Sequence, residues 1–356
     1  MTKIISFPHL GDYYIPLKLF LKRTTKLKVK PSPTITKKTI ALGSKYAPDS
    51  VCLPFKYNLG NFIESLEQGA NILITAGGGC RYRYYAEVTE TILKDLGYDF
   101  EFYNLIENGK LNIIKVYRYL KKLNKKLNFF YFLQQLLYTL IFIWDMDKID
   151  KIIRLRIGFE KENNSYLNKK KEMFNTFSKK KSIFKLTYYY FKYKILIKKI
   201  PYNKPKNCLK VGIIGELYTA MEPFATYFLE KELAKMHIEI KRYTNLSYLL
   251  WQKKFMRRHM LKVTKGYCKY SLGADGLDNV YRTIKLINKS YDGIIHTKPF
   301  GCTPEIGAIP IIQKVCQEHE MPIIFFSYDT ETSDEGIKTR LEAFEDLIKI
   351  RRSRKW

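Results

Sequence analysis

Two stretches of the chain alternate short apolar runs with segments of helical apolar spacing. A third stretch, lying between them, does not. Up to residue 108, the runs at 3–7, 49–53, 71–76 and 99–103 read as strands, the second carrying Cys52. Helical spacing is read over 14–23, from about 36 (Thr34 and Thr36 compete as cap), over 59–68 and over 85–96, where Gly97 ends it. Residues 207–356 have a similar layout, with strands at 210–216, 238–242, 292–297 and 322–328. Helices are read from Glu222-Pro223 to 236, and over 247–260, 276–289, 304–319 and 333–352, the last capped by Ser333. Strands alternating with helices imply a parallel, doubly wound sheet. The expectation is an α/β protein: an N-terminal domain at 1–108, a helical connecting segment at 109–206 and a C-terminal domain at 207–356. No residue-level repeat between the two α/β domains is visible.

The connecting segment is nearly free of glycine and rich in lysine and aromatics, ending in a linker at 201–206. Its run at 129–144 is sixteen mostly uncharged residues, with Gln134 and Gln135 inside and Asp145 at its end. A membrane-crossing helix needs about twenty apolar residues. A buried or interfacial helix is therefore expected rather than a transmembrane span, with a membrane-surface role left open. The formal charge of +29 in 356 residues reads either as a footprint for an anionic partner or as lysine-rich usage throughout. No nucleic-acid motif accompanies it, so nucleic acid is not the expected partner. The first residues lack the apolar core and cleavage site of a signal peptide. With six cysteines in so long a chain, reduced thiols and a cytoplasmic location are expected.

Three cysteines stand out by their surroundings. Cys302 follows Lys298-Pro299-Phe300-Gly301, with Thr303 as expected cap, Pro304 at the first helical position and Glu305 in the first turn. Cys80 follows Gly77-Gly78-Gly79, and Cys52 precedes Leu53-Pro54. Glycine and proline shape a rim and do little for a core, and a thiol ahead of a helix has its thiolate stabilised. Cys208, Cys268 and Cys316 lie in a linker, a basic loop and a core-like helical position. Dispersed cysteines do not suit a structural zinc site. They suit an iron–sulfur cluster, or else each is a small buried hydrophobe.

Other candidates keep more than one reading each. His296 is a proton donor or a hydrogen-bonded core histidine. Glu216, ending a strand, is an iron ligand, a proton relay or a helix N-terminal acid. Arg81 faces a cluster or an anionic substrate, or makes a surface ion pair. Neither GxxxxGK[ST] nor GxGxxG after a strand occurs, so the chain is not expected to hydrolyse ATP itself.

The segments Ala47-Pro48-Asp49-Ser50-Val51-Cys52-Leu53-Pro54-Phe55-Lys56, Ala76-Gly77-Gly78-Gly79-Cys80-Arg81 and Ile213-Ile214-Gly215-Glu216-Leu217-Tyr218 resemble those of the acyl-CoA dehydratase activase-related proteins. So do residues 296–305, 327–336 and 339–344. That family is similar to the component D subunits of 2-hydroxyacyl-CoA dehydratases. The resemblance implies two flavodoxin-like domains and a [4Fe-4S] cluster on Cys52, Cys80 and Cys302. It implies an ATP-dependent activase that supplies one electron at low potential, a related dehydratase subunit as possible partner, and radical dehydration of a 2-hydroxyacyl-CoA. The connecting segment resembles nothing in that family, and no CoA-binding motif is evident. The alternatives are a non-catalytic electron carrier or assembly partner of an activase, and a basic protein binding nucleic acid or a membrane surface.

Overall fold

The computed structural model describes residues 2–77, 80, 82–107 and 110–354. The chain forms two compact units, Met1–Phe142 and Ile143–Trp356.

In the first unit, strands β1 (Ile4–Ser6), β2 (Lys28–Val29), β3 (Ile72–Thr75) and β4 (Glu101–Asn104) make a four-stranded sheet in the order β2-β1-β3-β4. Every pairing is parallel, with Ile5 opposite both Val29 and Ile72. A parallel sheet covered on both faces needs apolar side chains on both. Accordingly Ile72 and Ile74 enter one core with Phe20 and Leu120, while Leu73 enters the other with Phe62 and Leu93. A short hairpin follows, β5 (Ile106–Glu107) against β6 (Lys110–Leu111). The strand expected at 49–53 is absent: those residues turn between helices Lys37–Tyr46 and Leu53–Glu67. Pro54, in the first turn, starts the second of these helices early. Thr36 caps the first, accepting from Thr39 N, with Thr39 returning the bond in a capping box.

In the second unit, β7 (Lys210–Gly215), β8 (Glu239–Arg242), β9 (Gly293–Pro299) and β10 (Ile323–Tyr328) form a second all-parallel sheet ordered β10-β9-β7-β8. Numbered within its own unit, each sheet has the order 2-1-3-4. Both are doubly wound and flavodoxin-like, with the reversal of winding between first and third strands. All of β9 is buried. The helix expected from Glu222 to 236 is broken into a turn at Phe224–Thr226 and the helix Leu229–Lys235, and a further short helix, Leu217–Met221, precedes it. Tyr227 and Phe228 cause the break, both with left-handed backbone (φ 50° and 56°).

The connecting segment is helical, with Ile113–Leu123, Phe129–Arg154, Ser165–Lys179 and Ile183–Lys199. Phe129–Arg154 is long and apolar enough to cross a membrane by length and composition. One side of it buries Phe132, Phe142, Met146, Ile149 and Ile153, while Phe130, Leu133 and Leu137 are exposed. Within the second unit Arg154 pairs with Glu230 at 2.8 Å, Lys170 with Asp150 at 2.5 Å and Arg242 with Glu230 at 2.7 Å. The expected linker is held as well, since Lys204 pairs with Glu239.

Candidate functional site

In open parallel sheets, ligands collect at the carboxyl ends of strands beside the reversal of winding. In the second unit those ends belong to β7 and β9. Gly215, closing β7, has φ +139°, and a β-carbon there would collide with the Thr297 carbonyl oxygen of β9. Only glycine brings the two strand ends this close. Glu216 follows, and its carboxylate accepts from Tyr218 N, Thr219 N and Thr219 Oγ1 at 2.8–2.9 Å, capping the short helix after it. Burial nevertheless pushes its pKa up to about 7, with the nearby Asp275 carboxylate adding to the rise. Asp275 accepts from Leu217 N at 3.1 Å and pairs with Lys253 at 2.6 Å.

On β9, His296 is fully buried and its Nε2 lies 2.7 Å from Glu305 Oε2. Its Nδ1 finds no hydrogen-bond partner among the described residues. Asn279 Nδ2 donates to both oxygens of Glu305 at 2.9 Å, while Asn279 Oδ1 accepts from Gly215 N at 3.1 Å. One buried network therefore joins the end of β7, the helix Gly276–Ile287, the middle of β9 and the first turn of Thr303–Glu318. Glu305 was expected as a first-turn charge, and it is also the centre of this network. Cys302, not Thr303, is the N-cap of that helix; its backbone is extended, and the thiol is half-buried. Lys298 is only 7 % exposed and donates to Ser327 Oγ at 2.9 Å. Burial lowers its pKa, and the neighbouring Cys302 and Glu305 oppose that shift.

In the first unit, Cys80 follows the end of β3 and precedes the helix Tyr82–Asp95. Arg81 lies outside the described residues. Cys52 stands at the N-cap position of Leu53–Glu67 without a side-chain capping bond, and the Tyr85 hydroxyl donates to its Sγ at 3.7 Å. Tyr85 also lines a small hollow of about 10 Å³ at the end of β3, with Phe55, Asn58, Thr75 and Gly77. Asn58 Oδ1, on its wall, is buried without a partner among the described residues.

The six cysteines divide by exposure. Cys52, Cys80 and Cys302 are half-buried, whereas Cys208, Cys268 and Cys316 are buried. Burial pushes the Cys316 thiol up to about 12 and raises that of Cys208. The topology adds a correspondence. Cys80 and Cys302 each stand between the third strand of their sheet and the helix that follows, while Cys52 and Asp275 each occupy the position just before the helix that precedes the third strand. A sequence signal pointed to two of these: Cys52-Leu53-Pro54 and Cys302-Thr303-Pro304 share a cysteine cap with proline in the first turn. Asp275, Tyr85 and Asn58 were not singled out from the sequence, because nothing in their immediate neighbours marks them, and Lys298 was noted only as part of the stretch leading to Cys302. No group of three or more His, Cys, Asp or Glu side chains is assembled for a metal ion among the described residues.

No curated protein matches the chain. Residues 253–348, which hold Asp275, Asn279, His296, Cys302 and Glu305, match the family of the 2-hydroxyglutaryl-CoA dehydratase D-component, and in that segment the chain is similar to component D of the 2-hydroxyacyl-CoA dehydratases.

Proposed function

We propose that the protein is an iron–sulfur component of a 2-hydroxyacyl-CoA dehydratase system, working with an ATP-dependent activase, and with a related dehydratase subunit, in the cytoplasm. The observation that carries this reading is the division of the cysteines. The three half-buried thiols each lie at or just before a helix start, where thiolate is favoured. The three buried ones do not. This donor set fits a [4Fe-4S] cluster, since soft thiolates select such clusters and three leave one iron for another ligand. Cys52, Cys80 and Cys302 would hold it, and Arg81 would offset its negative charge. When bound, the cluster supplies one-electron transfer at low potential.

The chain's own residues do the remaining work. The Glu305 network holds the first turn of the Cys302 helix against β9, with His296 acting through Glu305 as a positioning residue. Glu216, with a pKa of about 7, is suited to hold or release a proton near neutrality at its carboxylate oxygens. Whether the substrate is a 2-hydroxyacyl-CoA is read by turnover with activase and ATP. The test of the cluster is anaerobic preparation or reconstitution, with iron, sulfide and visible absorption measured. About four irons per chain are expected, lost in Cys52→Ala, Cys80→Ala and Cys302→Ala and kept in Cys208→Ala, Cys268→Ala and Cys316→Ala. A colourless, iron-free protein after reconstitution overturns the reading.

A further inference from the structure

The helix Ile183–Lys199 has two apolar faces. Leu186, Tyr190, Tyr193 and Ile197 are buried in the second unit. Phe184, Tyr188, Phe191 and Ile195 recur at the same spacing on the other side, and they are 86 %, 64 %, 53 % and 54 % exposed. Scattered exposed apolar residues are ordinary, but an unbroken stripe of four along one helix marks an interaction surface.

Charge says what covers it. Residues 173–215 contain eleven lysines and no aspartate or glutamate. Lys181, Lys185, Lys192, Lys198 and Lys199 are exposed on or beside this helix, and the Lys194 ammonium lies 5.8 Å from the Phe191 ring centre. A second copy of the chain would bring the same lysines and a like charge of +29, so self-association through this face is opposed. A nucleic-acid backbone would pair with the lysines and leave Phe184 and Ile195 in water. An anionic bilayer surface satisfies both halves of the pattern. The apolar stripe enters the headgroup–acyl boundary, while the lysine stems reach back to the lipid phosphates.

We propose that Ile183–Lys199 docks the protein on an anionic lipid surface, lying in its plane with Phe184, Tyr188, Phe191 and Ile195 inserted. This rests on the helix alone and is independent of the cluster. The experiment is co-sedimentation of the full chain with vesicles of phosphatidylcholine containing about one-third phosphatidylglycerol, and with phosphatidylcholine alone. The wild type should pellet with the anionic vesicles only. The combined change Phe184→Ser, Phe191→Ser and Ile195→Ser should weaken that partitioning about tenfold or more, and Lys185→Glu with Lys192→Glu by a similar factor. Circular dichroism checks that each variant folds. If the triple variant does not, the single Phe184→Ser reads the same loss at about threefold. Absence of binding to anionic vesicles overturns the proposal, as does binding untouched by the apolar changes. A wild-type dimer in lipid-free buffer that the apolar changes dissociate also overturns it, as does lysine-dependent binding to duplex DNA in place of vesicles.

Discussion

His296 on β9 and Glu305 in the following helix, nine residues apart, meet at 2.7 Å with both side chains wholly buried. The contact spans the turn that carries Cys302, so it holds that turn from beneath. Glu305→Ala would strand both His296 Nε2 and Asn279 Nδ2 without acceptors. Leaving two buried donors unpaired should cost about 2–5 kcal/mol, seen as a lower urea midpoint. Glu305→Gln keeps one acceptor and should lose less than half of that. If Cys302 is a cluster ligand, iron content should fall with Glu305→Ala and be largely rescued by Glu305→Gln.

The cysteines should also differ in the cluster-free protein. Alkylation under native conditions, followed by mass spectrometry, should label Cys52, Cys80 and Cys302 first. Cys316, 2 % exposed and with its thiol pushed up to about 12, should react only after unfolding. Native labelling of Cys316 ahead of Cys302 would contradict the burial described.

Stability should depend on pH in a particular direction. Burial pushes the Asp145 and Glu216 carboxyls up to about 7 from ordinary values of 3.8 and 4.5. An acid whose pKa is higher in the folded chain holds its proton more tightly there. Its contribution is therefore full below the ordinary value and is lost as pH rises to about 7, then stays constant. Asp145 Oδ2 has no hydrogen-bond donor among the described residues. Asp145→Asn should thus raise stability by about 1–3 kcal/mol at pH 8 and have little effect near pH 4. Glu216→Gln should flatten the profile less usefully, because it gives up part of the cap to Tyr218 and Thr219. Urea unfolding at the two pH values checks both.

Gly215→Ala should be far more damaging than its one added methyl suggests. With φ at +139° and the Thr297 carbonyl in the way, the β7–β9 pairing must shift. A cost of about 3 kcal/mol or more is expected, with a matching drop in Tm.

Much of the fold was legible because doubly wound sheets write themselves as buried apolar runs. Ile72–Thr75 and Gly293–Pro299 are such runs, and both appear close to where the pattern placed them. The errors have local causes. Val51 and Leu53 looked strand-like around Cys52, but Pro54 nucleates a helix there. Lys28–Val29, two residues long, gives periodicity nothing to act on. Tyr227 and Phe228 take left-handed backbone without glycine to announce it, so a broken segment read as one helix. The cap at Cys302 was assigned one residue late, since threonine is the stronger capping type. The cysteines proposed as ligands stand out in the sequence through the glycines and prolines beside them. Asn279 and Asp275 do not, because their importance comes from partners 64 and 58 residues away in sequence.

The repeated 2-1-3-4 order bears on how the chain acquires its structure. Every strand of the first sheet lies at or before Asn104, and the second sheet begins at Lys210. Neither sheet borrows a strand from the other, so the first can close while the C-terminal half of the polypeptide is still being synthesised. Cys52 and Cys80 would then be set in place on the ribosome well before Cys302 exists.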